Sequence, residues 1–201
     1  IYGNSSFNIN TATYYNSGDT VTVDITGNWW NSTVIDTIAA KIHDYTDSRN
    51  NLPVVDYSGF LDGANGNSVS TNDLNAVFIN DTTLTANTTY QVLGDLTVAA
   101  GVTLTIPEGV TLEFGAGMDL NVAGSLVVEG TSALPVTFTS SNKTTPGKNS
   151  WNGIIVTSTA TNVVIDNAHV EYANNGIYFN NSGSVGVVSN SIIENSTQGI
   201  N

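Results

Sequence analysis

Residues 102–130 read VTLTIPEGVTLEFGAGMDLNVAGSLVVEG, and their spacing decides the fold. Apolar side chains take every second position: Val102, Leu104 and Ile106, then Val110, Leu112 and Phe114, then Leu120 and Val122, then Leu126 and Val128. A period of two puts one face of a short strand in a core and the other in water. The runs break at Pro107-Glu108-Gly109, Gly115-Ala116-Gly117, Ala123-Gly124 and Glu129-Gly130. Turns this frequent leave no room for long hairpin strands, and no helical spacing intervenes. Short strands, close-set turns and outward Thr or Asn describe a chain wrapping one narrow core. The reading is an all-β parallel solenoid in which each coil stacks on the one before.

The same rhythm runs outward in both directions. Downstream come Val136-Thr137-Phe138-Thr139, Trp151 to Val156, Val163-Val164-Ile165, His169 to Tyr172, Gly176 to Phe179 and Ile192-Ile193-Glu194. Asn-rich turns at Asn167, Asn174-Asn175, Asn180-Asn181, Asn190 and Asn195 suit amide ladders between coils. Upstream, Ile1 to Asn31 alternates in the same way, as do Leu74, Ala76 and Phe78. The exception is Thr33 to Asp44, where Val34, Ile35, Ile38, Ala39 and Ile42 repeat at helical spacing behind a Thr33 cap. Tyr45 to Asn72 reads as loop. The expected division is 1–31, terminal coils that complete a neighbouring copy; 32–72, a capping helix and linker loop; and 73–201, the solenoid body.

Composition narrows the function classes. Apolar residues make up 40% of the 201, enough for a core, and charged residues only 10%. Four Lys plus Arg against 17 Asp plus Glu give a net charge of -13, which argues against nucleic acid as a partner. No apolar run reaches the length of a membrane span. With no cysteine, disulfides are not the stabilising device. The chain opens on Ile1 rather than Met, which suits a mature product or an excerpt.

Candidate sites follow from residue type. Trp29 and Trp30, with Ile35, Ile38 and Ile42 on the helix, make a plug over one end of the core, since an open coil end carries unpaired strand edges. Asp44, Asp47 and Asn50, and then Asp62, Asn65 and Asn67, gather oxygen donors of the kind calcium takes. The second set lacks EF-hand spacing, because Ala64 stands where a ligand is wanted, and an ion-free turn explains it as well. No cofactor is required. The sequons at Asn4, Asn31, Asn80, Asn87, Asn142, Asn180 and Asn195 would accept glycans on a secreted surface. His43 and His169 belong to no recognisable triad or metal pattern, and Glu113, Asp119, Glu129 and Asp166 show no pairing in sequence.

Residues 96–110 (LTVAAGVTLTIPEGV), Pro135 to Ser140 and Trp151-Asn152-Gly153-Ile154 resemble the right-handed parallel β-helix proteins related to pectate lyases, in particular their surface and adhesin-like members in bacteria and archaea. Asn28-Trp29-Trp30, Ile35-Asp36 to Asp44-Tyr45 and Val55-Asp56-Tyr57 resemble the way such helices finish. The resemblance implies a right-handed parallel β-helix with one short capping α-helix, at an extracellular or cell-surface location. In lyases of this fold it also implies calcium-bound carboxylates with an Arg or Lys base. Here Arg49 falls in the linker, Lys41 on the helix, and Lys143 and Lys148 in a loop without an acidic cluster, so enzymatic activity is not expected.

The finishing motif lies near the start of the chain, while the end, STQGIN, continues the coil rhythm into the opening IYGNSSFNIN. The expected function is therefore a structural subunit of an extracellular filament, sheath or surface layer. Copies, either units of a longer tandem array or separate subunits, would join head to tail through Ile192, Ile193 and Ile200 at one end and Ile1, Tyr2, Phe7 and Ile9 at the other. The alternatives are an adhesin or carbohydrate-binding module using Trp29, Trp30, Trp151 or Tyr14-Tyr15 against glycans, and a polysaccharide lyase or glycoside hydrolase.

Overall fold

A computed structural model describes residues 9–10, 22–25, 27–32, 37–38, 41–43, 54–56, 61–66, 72–74, 77–180 and 186–201. The chain forms two units, Ile1–Ala76 and Val77–Asn201.

In the first unit the strands are β1 (Ile9–Asn10), β2 (Thr22–Asp24), β3 (Ile42–His43), β4 (Val54–Asp56) and β5 (Asp73–Leu74). β1 pairs with β3 and β2 with β4, both in parallel. On a third side the Leu61 amide donates to the Asn28 carbonyl at 3.0 Å. The described backbone thus passes the same three sides twice. Trp30, Ile38, Ile42 and Val55 are buried together, with Ile9, Val23 and Ile25 against them. Thr37 and Ile38 are helical, but Lys41 is a turn and Ile42–His43 is strand, so the helix does not run on to Asp44 as its apolar spacing suggested. Ile42 satisfies a period of two as well as one of 3.6, and the ladder with Ile9 wins. The stretch read as linker loop likewise contains β4.

The second unit continues with β6 (Val77–Phe78), β7 (Thr82–Thr83), β8 (Thr89–Val92), β9 (Leu96–Val98), β10 (Thr103–Pro107), β11 (Thr111–Phe114), β12 (Asp119–Val122) and β13 (Ser125–Glu129). Then come β14 (Val136–Ser140), β15 (Trp151–Thr157), β16 (Asn162–Asp166), β17 (Ala168–Glu171), β18 (Ala173–Asn180), β19 (Gly186–Ser189), β20 (Ile192–Glu194) and β21 (Gln198–Ile200). Within this unit every third strand stacks: β7, β10, β13, β16 and β19 form a first sheet, β8, β11, β14, β17 and β20 a second, and β6, β9, β12, β15, β18 and β21 a third. All the described pairings are parallel. This is the right-handed parallel β-helix, nearly all β.

Register aligns like with like. Leu96, Leu120, Ile154, Ile177 and Ile200 form one column on the third sheet, and Leu112, Phe138, Val170 and Ile193 another on the second. The column members below the last coil are fully buried. Corners turn through left-handed residues: Gly109, Gly117, Asn167, Asn190 and Asn195 all have positive φ, which Gly and Asn tolerate best. Asn167 and Asn190 do not form an amide ladder. Both side chains donate instead to Asp166.

The coil closed by β13, β14 and β15 carries a register shift, between Gly153 and Ile154. Gly153 has φ 124°, and a Cβ there would run into the Asn175 carbonyl, so the bulge requires glycine. Beside it, Trp151 is fully buried and stacked on Phe114, with ring centroids 4.1 Å apart and planes 10° apart. Its indole N–H donates to the Glu171 carbonyl at 2.8 Å.

Leu120→Ala opens a cavity in the middle of a filled column. Urea unfolding should show a loss of about 2–5 kcal/mol. A loss under about 1 kcal/mol would mean the column is not packed as described.

Candidate functional site

Because the second sheet buries Leu112, Phe138 and Val170, its alternate residues face outward. Gln91 and Glu113 are in register, as are Glu113 and Thr139, and Glu171 and Glu194. Carboxylates stacked on neighbouring coils, about 4.8 Å apart, repel unless something intervenes. Around Glu113 the chain supplies neutral or positive neighbours. Gln91 donates its amide to Oε2, and Lys143 places Nζ 2.9 Å from Oε1. Lys143, read as lying away from acidic groups, therefore reaches back onto this face. Thr139 separates Glu113 from the next carboxylate and donates to Glu171 Oε1 at 2.8 Å.

Higher up, two carboxylates are direct neighbours. His169 shares a face of β17 with Glu171, and its Nε2 lies 3.0 Å from Glu194 Oε1 and 3.8 Å from Glu171 Oε2. The three side chains can bring one ligand atom each within 4.8 Å of the others. No lysine or arginine joins Glu171 or Glu194 in an ion pair among the described residues. Next to His169 opens a groove of about 260 Å³, lined by Thr131, Ser132, Pro135, Asn167, Ala168, Asn190 and Ile192. Its far wall is a corner excursion between β13 and β14, where the coil is longer than its neighbours.

Behind the groove Asp166 ties the last coil down. Ser189 Oγ and Asn190 Nδ2 donate to Oδ1 at 2.7 and 2.8 Å, and Asn167 Nδ2 to Oδ2 at 2.9 Å. The Ser189 hydroxyl, then the Asn190 amide, hold this carboxyl below the usual carboxylate range, against a smaller opposing effect of burial.

The residues singled out from sequence fall as follows. Trp30, Ile38 and Ile42 are buried in the first unit, and Trp29 is half-buried. Asp62 and Asn65 are exposed in a turn closed by the Gly66 amide on the Gly63 carbonyl at 3.0 Å. Asp44, Asp47, Asn50, Asn67, Ile35, Ile1, Tyr2, Phe7 and Asn4 lie outside the described residues, as do Arg49 and Tyr14-Tyr15. Asn31, Asn80, Asn87, Asn142, Asn180 and Asn195 are all exposed. Ile9 and Ile193 are half-buried, while Ile192 and Ile200 are exposed.

Two expectations change. Trp151, offered as a sugar-stacking platform, has no exposed surface and is spent on the core, as is Trp30. His43 is in a strand rather than at a helix end. Glu113, Asp119, Glu129 and Asp166 line no common cleft: Glu113 is on the second sheet, Asp119 on the third, and Glu129 and Asp166 are in register on the first. The grouping that does form, His169 with Glu171 and Glu194, was missed. Its signal is a His-x-Glu on one strand face and a second Glu one coil of 23 residues later, the spacing shown by Ala168 and Ser191.

A family model described as a pectate-lyase-like beta helix domain matches residues 76–189, more than half of the chain. The chain belongs to the pectate-lyase-like β-helix family. No curated protein and no solved structure matches it. The calcium-and-base arrangement of lyases on this fold can be tested against the outer face of this pectate-lyase-like helix. The fit fails: calcium prefers an all-oxygen shell, whereas the Glu171–Glu194 pair is completed by an imidazole nitrogen. The lysine on this face is committed to Glu113. No lyase step is derived from these residues.

Asp166 gives a pH dependence of known sign. Its folded value lies below the ordinary ~3.9, so its anchoring of the last coil is complete above about pH 4 and is lost as pH falls through the lower folded value. Hydrogen-exchange protection of the Val187 and Val188 amides should fall selectively in that acid range. In Asp166→Asn the protection should be weaker at neutral pH and insensitive to acid; an unchanged acid profile would remove the assignment.

Proposed function

We propose that this β-helix is a structural element of an extracellular filament, sheath or surface layer, lengthening by the stacking of coil on coil between copies. One observation carries the reading. Leu96, Leu120, Ile154 and Ile177 are fully buried in their column, yet Ile200, the next member, is 55% exposed. Val188 and Ile193, in register with buried Ile165 and Val170, are likewise only partly covered. Where the coil of β19, β20 and β21 ends, the same apolar columns and strand edges would accept a further coil, whether it follows in the chain or comes from another copy.

The surface that fits such an end is another parallel coil with apolar side chains in the same columns. The first unit offers one: β1 and β2 pair on one edge only among the described strands, and Ile9, Val23 and Ile25 already pack on an apolar cluster. A contact between two different surfaces of successive copies gives a fibre on repetition wherever its rotation does not close into a ring. Covering the exposed parts of Ile200, Val188 and Ile193 and pairing their strand edges would supply the attraction for such a contact.

A second reading, contact with an acidic or neutral polysaccharide, is favoured by the groove beside His169, whose lining mixes Ser132, Asn167 and Asn190 with Pro135 and Ile192, and by the family description. Product release from polysaccharides, or glycan binding abolished by substitutions at Asn190 or Ser132, would support it.

Electron microscopy and sedimentation velocity test the first reading. The protein should form elongated particles whose length grows with concentration. Ile200→Asp and Ile193→Asp should leave single subunits, while Val187→Asp, on the outward side of the same coil, should still assemble. Single subunits of the parent protein at high concentration, or equal loss in all three variants, would overturn stacking through the core columns.

A further inference from the structure

We propose that His169, Glu171 and Glu194 form a divalent metal site selective for zinc-like ions over calcium. Glu171 and Glu194 are partners across the β17–β20 ladder, and His169 lies two residues before Glu171 on the same outward face. Parallel stacking thus delivers three ligands from two coils without any loop having to be ordered.

The distances suit a metal. Zinc takes imidazole nitrogen at about 2.0–2.1 Å and carboxylate oxygen at about 2.0–2.2 Å, which sets neighbouring ligand atoms roughly 3.0–3.5 Å apart. His169 Nε2 lies 3.0 Å from Glu194 Oε1, within that spacing, and 3.8 Å from Glu171 Oε2, slightly beyond it, and all three ligand atoms lie within 4.8 Å of one another. Small changes of side-chain torsion bring all three to one centre. Thr139 already occupies Glu171 Oε1, leaving Oε2 as the oxygen turned toward His169. A partner that fixes one oxygen and frees the other is how outer groups orient ligands.

Two further observations point to a cation. Elsewhere on this face the chain neutralises Glu113 with Lys143 and Gln91, but Glu171 and Glu194 are stacked with no lysine or arginine ion pair among the described residues. And the His169 and Glu194 side chains are 30% and 51% exposed, so a metal held between them has room for a water or another oxygen donor at its open position. A mixed nitrogen and oxygen set favours zinc, cobalt or nickel, whereas calcium wants six or more oxygens.

Isothermal titration of the full chain with zinc and with calcium, at neutral pH, tests the site. One equivalent of zinc should bind at least tenfold more tightly than calcium. His169→Ala and Glu194→Gln should each lose at least tenfold in zinc affinity, and Glu113→Gln, on the same face, should lose none. Cobalt provides a check that needs no variant: the parent protein should give an intense visible band from a low-coordinate imidazole site. The proposal fails if zinc and calcium bind alike, if His169→Ala binds zinc as the parent does, or if cobalt gives only the pale spectrum of an all-oxygen octahedral ion. Far-UV circular dichroism of the metal-free variants, expected to match the parent, separates loss of ligands from loss of fold.

Discussion

Parallel in-register stacking is the constraint on which everything else in this protein depends. Each residue of a coil lies directly over its counterpart, about 4.8 Å away, and must be compatible with it. Inward positions meet that demand with matched aliphatic side chains, as in Leu96, Leu120, Ile154 and Ile177. Outward positions meet it by alternating charge with polarity, as in Gln91, Glu113 and Thr139. The corners meet it with backbone, through left-handed Asn and Gly. A parallel helix of this kind has no hairpins to fix register, so the side-chain columns must do so themselves.

The same constraint explains what could be read from sequence. The body was legible because a period of two survives wherever the core is continuous: the alternating positions Leu104, Ile106, Val110, Leu112, Phe114, Leu120, Val122, Leu126 and Val128 are all fully buried. The bounds of the helix were not legible, because Ile42 suits either spacing and the ladder to Ile9 is a long-range fact. Trp151 carried no mark of being interior. Only the stacking on Phe114, and the indole donation to Glu171, show that a large ring is needed at that corner.

Site residues were harder still. His169, Glu171 and Glu194 are unremarkable in a linear reading, and their meeting requires the offset between the fourth and fifth coils. That offset varies along the chain, since Gln91 and Glu113 are 22 residues apart while Thr139 and Glu171 are 32 apart. The long excursions sit at corners, where additional residues do not disturb the columns. For the same reason Lys143, in one of those excursions, looked remote and yet returns to Glu113.

The Asp166 carboxylate has a mechanical meaning. It gathers two donors from the last coil and one from its own corner, so it fastens a single layer rather than the whole stack. Tension applied along the axis across β16 and β19 would load that fastening directly, so the joint between these two layers would yield as a unit while the layers on either side stay folded.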